Sequence, residues 1–166
     1  EGETLSVSKT KGKVFDLKTK AQTEGNVKGS LGMGHTRWAT HGVPNNVNAH
    51  PHLSNSGRLA IVHNGIIENY QSLKTTLEQR GYTFYSDTDT EVLINLIEEI
   101  QQKEQVKLSK AVRMALNRVV GAYAIVVFDR TNPDQLVTAR MGSPLAIGVG
   151  EGEFFIASDA SPFIEY

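Results

Sequence analysis

Residues 88–100 read TDTEVLINLIEEI, and this stretch decides the architecture around it. Thr88 and Glu91 have the spacing of a capping box, so the sequence predicts that a helix begins here. The apolar residues that follow recur at helical spacing and fall on one face: Val92, Leu93, Leu96, Ile97 and Ile100. Such a face has to be buried against another layer of structure.

Two more helices are predicted on either side of this stretch. The first spans about 68–80, where Leu73 and Leu77 lie four residues apart and Gly81 occupies the usual stop position. The second spans about 109–119. Its inward face is predicted to consist of Val112, Ala115, Leu116 and Val119.

Strands are predicted around these helices. The predicted segments are 5–7, 14–15, 33–37, 58–62, 82–85, 122–129, 135–139, 145–149 and 154–157. Residues 124–128 are apolar without alternation, which predicts a strand covered on both faces. Asn64-Gly65 predicts a turn after the strand 58–62, and residues 39–57 predict a long loop. The pattern is that of one α+β layered domain over residues 1–166.

Composition excludes several classes of function. The 166 residues carry a formal net charge of -1, which gives no bulk attraction for nucleic acid or an anionic membrane. No apolar run approaches the roughly 20 residues that span a bilayer, and the first residues, EGET, have neither the basic nor the apolar region that is typical of a signal peptide. The chain contains no cysteine, so it has no disulfide, thiolate metal site or cysteine nucleophile of its own. We expect a cytoplasmic location. We also expect that the protein uses no cofactor.

The segment HTRWATHG at residues 35–42 is the densest cluster of polar and aromatic side chains. Arg37 offers a planar fork of donors that suits a carboxylate. Trp38, the only tryptophan, would form an apolar wall, and Thr40 and His41 would supply directional hydrogen bonds. The alternative is a surface strand end that is anchored by one tryptophan.

Three other clusters each have a functional and a structural interpretation. His50-Pro51-His52 suggests a metal site, but it matches no zinc spacing, and a loop fixed by the proline is the alternative. Asn64-Gly65 suggests an oxyanion hole, or only a tight turn. Asp89 either complements the dipole of its helix or binds a substrate ammonium. Arg37 and Asp89 together would then hold the two charged ends of an amino acid.

Several long motifs, in order, resemble the class II glutamine amidotransferase domains, and within them the branch that supplies amino sugar synthesis. They are GHTRWATHG (34–42), VNAHPH (47–52), VHNGIIENY (62–70), RGYTF (80–84), SDTDTEV (86–92), GAYAIVVFD (121–129), GSPLAIGVG (142–150) and FIASD (155–159). The resemblance implies the N-terminal-nucleophile hydrolase fold, a four-layer αββα sandwich of two antiparallel sheets.

The resemblance also implies a chemistry and a set of residue roles. A cysteine nucleophile would hydrolyse L-glutamine to L-glutamate and ammonia, which a separate sugar isomerase domain would use on fructose 6-phosphate to make glucosamine 6-phosphate. Arg37 would bind the α-carboxylate of glutamine and Asp89 its α-ammonium. Asn64 and Gly65 would form the oxyanion hole. Thr40 and His41 would line the pocket, and Trp38 would help to form its gate.

The sequence departs from this family at its start. Residue 1 is glutamate, and the opening strand of the family, with its cysteine, has no counterpart in these residues. We therefore expect this polypeptide to lack glutaminase activity and to have an uncovered sheet edge. The full-length parent is expected to be a homo-oligomer. An amino-acid sensor without catalysis and a histidine metalloprotein are the alternatives.

Overall fold

A four-stranded antiparallel sheet is the centre of the molecule. The computed structural model describes residues 5–25, 29–38 and 42–164. The strand order in the sheet is β1 (His52–Leu53), β2 (Leu59–Ile67), β3 (Gly121–Asp129) and β4 (Leu136–Met141). Two further strands, β5 (Ala146–Val149) and β6 (Phe154–Ala157), form a second antiparallel sheet.

The helices in the described ranges are α1 (Val14–Glu24), α2 (Tyr70–Glu78), α3 (Asp89–Glu104) and α4 (Leu108–Leu116), and a short 3-10 helix follows at Ser161–Phe163. α3 contacts β2 on one side and both α2 and α4 on others. Every residue from Asp89 to Ile100 is buried, because the helix is surrounded by the sheet and by its two neighbours. None of the helices in these ranges is long and apolar enough to cross a membrane.

The core lies between α3 and one face of the larger sheet. Ile61 of β2 pairs with Val127 of β3, and both side chains are completely buried against the helices. Full burial of one aliphatic side chain of this size contributes about 1.5–3 kcal/mol to the stability of the fold. The predicted apolar face of α3 is part of this core. So are Val112, Ala115 and Val119, while the fourth predicted residue, Leu116, is only half-buried.

The opposite face of the sheet is directed toward the second sheet. Strand alternation places Val62 and Asn64 of β2 and Ala124 and Val126 of β3 on this face. These side chains share a cleft with Ile156 of β6. The prediction of an α+β domain with two antiparallel sheets is therefore confirmed.

Four of the predicted strands are wrong. Residues 5–7 and 33–37 are extended but belong to no described ladder, and residues 14–15 begin α1 instead. Asp16 starts that helix by accepting the Lys13 N–H at 2.7 Å. Residues 82–85 are irregular because the side chain of Asn55 bonds both backbone groups of Thr83, at 2.8 and 2.7 Å, where a strand partner would have done so.

The predicted turn at Asn64-Gly65 is also wrong. β2 runs straight through both residues, and Gly65 pairs with Tyr123. Gly65 adopts φ 128°, and a Cβ atom at this position would collide with the backbone carbonyl of Ala122. The glycine therefore permits the close approach of β3, and Asn64 is held in the middle of a strand rather than at a flexible turn.

Candidate functional site

The free edge of β2 borders a cavity of about 150 Å³. β1 pairs with β2 only at Ala60 and Ile61, so the edge from Val62 onward has no strand partner within the described ranges. Four segments far apart in sequence converge on this edge. The lining consists of His35, Thr36, Arg37, Trp38, His50, His63, Asn64, Gly65, Thr88, Asp89 and Thr90.

This cavity brings together five of the seven site residues expected from the sequence: Arg37, Trp38, Asn64, Gly65 and Asp89. The other two, Thr40 and His41, lie outside the described residues. The five come from an extended segment, the middle of β2 and the first turn of α3. The five residues meet because the edge of β2 brings these elements together, and the spacing of the residues in the sequence does not predict this.

Asp89 is the first residue of α3, and its carboxylate is fixed by the strand beside it. Its Oδ2 accepts the backbone N–H of Ile67 at 2.8 Å, and the residue is buried. The hydroxyl of Thr90 donates to the Oδ1 atom at 3.4 Å. Asp89 therefore does more than complement the helix dipole, because it ties α3 to β2 and presents a preorganised negative charge at the cavity.

The start of α3 is held by a second carboxylate. The Thr88 hydroxyl accepts the Glu91 N–H at 3.3 Å, as the predicted capping box requires. The Glu91 carboxylate bonds instead to the backbone N–H groups of Tyr85 and Ser86, at 3.1 and 2.7 Å. This arrangement fixes the segment that precedes Asp89, and it satisfies N–H groups that would otherwise be buried without partners.

Arg37 reaches the cavity from an extended segment whose residues alternate in exposure. His35 and Arg37 are half-buried, whereas Thr36 and Trp38 point outward. The Arg37 Nη2 donates to the carbonyl of Gly42 at 3.2 Å, so the guanidinium also holds the chain on the far side of residues 39–41. Trp38 is 89% exposed, which places its ring at the mouth of the cavity rather than in an inner wall.

Asn64 and Gly65 form the part of the lining that lies on β2. The Asn64 Oδ1 is 2.7 Å from the His35 Nε2. Leu59 and Ile67 both direct their backbone N–H groups toward the β1 side of β2. Since backbone groups alternate along a strand, the Gly65 N–H faces the same edge. An amide side chain and a backbone N–H thus adjoin on one border of the cavity.

Comparisons with known proteins decide which family has this arrangement. The family described as "Glutamine amidotransferase domain" matches residues 20–166. This chain belongs to that family. The amidotransferase domain is 53% identical over 166 residues to glutamine–fructose-6-phosphate aminotransferase (isomerizing) of Bacteroides thetaiotaomicron, covering 100% of this chain and 27% of that protein. It is 51% identical over 165 residues to the Chlorobaculum tepidum protein of the same name, and this match covers 98% of this chain and 27% of that protein.

Solved structures agree with the fold. The glutamine phosphoribosylpyrophosphate amidotransferase from B. subtilis, complexed with ADP and GMP, superposes with a TM-score of 0.72 at 30% identity, over 89% of this chain and 32% of that one. A structure of the allosteric regulatory enzyme of purine biosynthesis superposes with a TM-score of 0.73 at 30% identity, over 89% of this chain and 32% of that one. The chain spans about a quarter of the length of its curated relatives, 27%. The resemblance to the aminosugar branch is confirmed by the relatives' names.

A group of four histidines in the amidotransferase domain was not predicted to be part of the site. The rings of His35 and His50 have centroids 4.2 Å apart, and those of His50 and His52 4.9 Å. The Thr90 hydroxyl lies 3.2 Å from the His50 Nε2 and 3.0 Å from the Nδ1 of His63. No three of the described His, Asp or Glu side chains are arranged to hold a metal ion. Asn64, Thr88 and Thr90 supply side-chain partners for these rings, and the His63 Nδ1 also lies 4.0 Å from the Asp89 Oδ2.

Burial lowers the pKa of three of these imidazoles, those of His35, His50 and His52, which favours their neutral form near pH 7. It lowers the pKa of His50 far below the ordinary value, and the neighbouring His35 and His52 add to that effect. Burial likewise lowers the pKa of His52 to about 3, with a smaller contribution from Lys9. A pattern of histidines in HTR, HPH and HNG was the available signal. The structure gives this pattern a meaning, because His50 and His63 converge on Thr90 while His35 and His52 contact Asn64 and Thr88.

The domain should lose stability in mild acid because of His52. Its folded pKa is depressed, so the unfolded chain takes up a proton first as the pH falls. The stabilisation is complete above about pH 6.5 and declines by about 1.4 kcal/mol per pH unit toward pH 3. Urea unfolding at pH 6.5 and 5.0 should show it. His52→Gln, whose amide can still hydrogen-bond to Thr88, should have a smaller loss of unfolding free energy, and equal losses would contradict the assignment.

Proposed function

We propose that this chain is the glutamine-hydrolysing domain of a glutamine–fructose-6-phosphate aminotransferase and that the cavity at the edge of β2 binds L-glutamine. Arg37 binds the α-carboxylate, Asp89 binds the α-ammonium, and the side chain of the substrate extends toward Asn64 and Gly65. The observation that carries the proposal is that a guanidinium, a buried carboxylate and an amide–glycine pair line one small cavity. This set of groups matches the two charges and the carboxamide of one amino acid.

The chemistry follows from where negative charge would develop. A thiolate attacks the carboxamide carbon of glutamine, the carbon–nitrogen bond breaks, and the nitrogen leaves as ammonia after protonation. Water then hydrolyses the thioester to glutamate. The Asn64 amide N–H and the Gly65 N–H would stabilise the oxyanion of each tetrahedral intermediate. Each such donor is typically worth about 2.7–4 kcal/mol in the transition state.

The nucleophile is the part of this mechanism that the 166 residues do not contain. The family uses a cysteine, and the sequence has none. The mechanism requires a thiolate next to a free α-amine, and no residue in this sequence can provide the thiolate. A polypeptide of these residues alone should therefore bind glutamine without hydrolysing it.

The wider role is part of the same proposal. The relatives are named as isomerizing aminotransferases, and the part of each relative that this chain matches is 27% of its length. We propose that ammonia released here passes to a sugar isomerase domain of the same protein for glucosamine 6-phosphate synthesis. We further propose that this protein is a homo-oligomer in the cytoplasm.

Asp89→Asn tests the proposed site by removing one charge. The amide oxygen can still accept the Ile67 N–H, so the link between α3 and β2 is kept. We expect calorimetry to show glutamine binding weakened roughly 10- to 150-fold, the equivalent of one charge-assisted hydrogen bond.

The control for this variant is a ligand without the ammonium group, 4-carbamoylbutanoate. It should bind the parent chain and Asp89→Asn with the same affinity, because it makes no contact that the substitution removes. A parallel loss for both ligands would show that the variant disturbs the cavity generally, and it would count against Asp89 as the ammonium site.

A further inference from the structure

His35 connects two parts of the cavity that are not adjacent in sequence. It lies two residues before Arg37 on the extended segment, and its Nε2 is 2.7 Å from the Oδ1 of Asn64 in the middle of β2. The segment that carries the carboxylate-binding arginine therefore also contacts the amide that would stabilise the oxyanion.

The orientation of both groups follows from the amide oxygen of Asn64, which is the atom that the structure places against the His35 ring. A carboxamide oxygen only accepts, so the Nε2 of His35 has to carry the proton and donate it to Asn64. The Nδ1 of His35 is buried without a hydrogen-bond partner among the described residues. Since a buried acceptor without a partner costs less than a buried N–H without one, this nitrogen carries the lone pair.

The surroundings keep the imidazole in this state and place. Its ring is packed against that of His50, with centroids 4.2 Å apart and planes inclined by 32°. Burial lowers the pKa of His35, while its hydrogen bond with Asn64 and the backbone of His63 act in the opposite direction. A neutral ring with one proton, packed on a second ring, is a directional donor rather than a general base.

We propose that His35 is a positioning residue: its Nε2–H holds the Asn64 carbonyl oxygen so that the amide NH2 group faces the glutamine carboxamide. This inference rests on the proposed function. An asparagine without that bond can rotate by half a turn and present its oxygen, which would repel the developing oxyanion. His35 and Arg37 together make the binding of the α-carboxylate and the orientation of the oxyanion donor depend on one segment.

The first test is the nitrogen-15 spectrum of the histidine rings in the ligand-free chain. It should show the His35 Nε2 protonated and the Nδ1 bare at neutral pH. In His35→Leu, the side-chain NH2 signals of Asn64 should shift. A proton on Nδ1, or an Asn64 signal unchanged by the substitution, would overturn the proposal whether or not glutamine binds.

The second test measures preference for the carboxamide. L-norvaline has the same α-carbon groups as L-glutamine and no carboxamide, so the ratio of the two affinities isolates contacts to that group. We expect His35→Leu to lower this ratio roughly tenfold, the loss of about one hydrogen bond, with norvaline binding unchanged. His35→Gln, which keeps an N–H donor, should restore the ratio, and Thr76→Ala, at an exposed position of α2 outside the cavity lining, should leave it unchanged.

The outcomes separate the two proposals. Equal weakening of both ligands by His35→Leu would show that His35 acts only in packing and would overturn its positioning role. A parent chain that binds neither ligand would refute the glutamine site, and the ring spectrum would still decide how His35 and Asn64 are oriented.

Discussion

Arg37→Ala should weaken glutamine binding at least as much as the loss of one charge-assisted hydrogen bond, which is roughly 10- to 150-fold. A bidentate pair with the α-carboxylate would be lost entirely, and alanine offers no replacement donor. The Arg37 Nη2 also donates to the Gly42 carbonyl, so the substitution releases the segment beyond residue 41 as well. Calorimetry with L-glutamine, and with L-glutamate as the product, measures the effect.

Three comparisons make this result specific. 4-Aminobutanamide, which is glutamine without its α-carboxylate, should bind Arg37→Ala and the parent chain equally. Arg37→Lys should recover only part of the affinity, because an ammonium cannot form the two parallel bonds of a guanidinium. Arg130→Ala, at an exposed arginine away from the cavity, should change nothing. Equal glutamine affinities for Arg37→Ala and the parent chain would exclude Arg37 as the carboxylate site.

Gly65→Ala should be the most destabilising small substitution near the cavity. The backbone φ of 128° is unfavourable for any residue with a side chain, and the added Cβ would meet the carbonyl of Ala122 on β3. The conformational strain alone costs about 1–3 kcal/mol, and separating β2 from β3 adds to it. Urea unfolding at pH 7.5 should show a loss of free energy of unfolding above that range.

Gly57→Ala is the matched control for this substitution. Gly57 also has a positive φ, 69°, but no atom lies within 4 Å of the position of its Cβ. It should lose only about 1 kcal/mol, the ordinary cost of this conformation for a residue with a side chain. If the two variants lost the same free energy, the collision with β3 would not be the reason for glycine at position 65.

Local chemistry made part of the fold predictable. The apolar periodicity and the cap at Thr88 were enough to predict α3, and the unalternating run 124–128 was enough to predict β3. The short segments failed because their conformation depends on distant partners. Residues 82–85 became irregular when Asn55, 28 positions earlier, bonded to Thr83. Nothing within residues 82–85 specifies that contact.

The site shows the same division. Residue types alone suggested that Arg37 suits a carboxylate, Asp89 an ammonium, and Asn64-Gly65 an oxyanion, because these matches depend on charge and donor geometry within one side chain. The turn interpretation of Asn64-Gly65 failed, since the dipeptide preference was overridden by pairing along the whole of β3.

The sequence by itself thus determined the helices with a strong apolar period, the longer strands and the chemical capacity of each candidate residue. Only the tertiary structure decided that Asp89 bonds to Ile67, that His35 bonds to Asn64, and that burial lowers the pKa values of His50 and His52. Those features are set by hydrogen bonds and burial between residues 22 to 40 positions apart, which a local pattern does not encode.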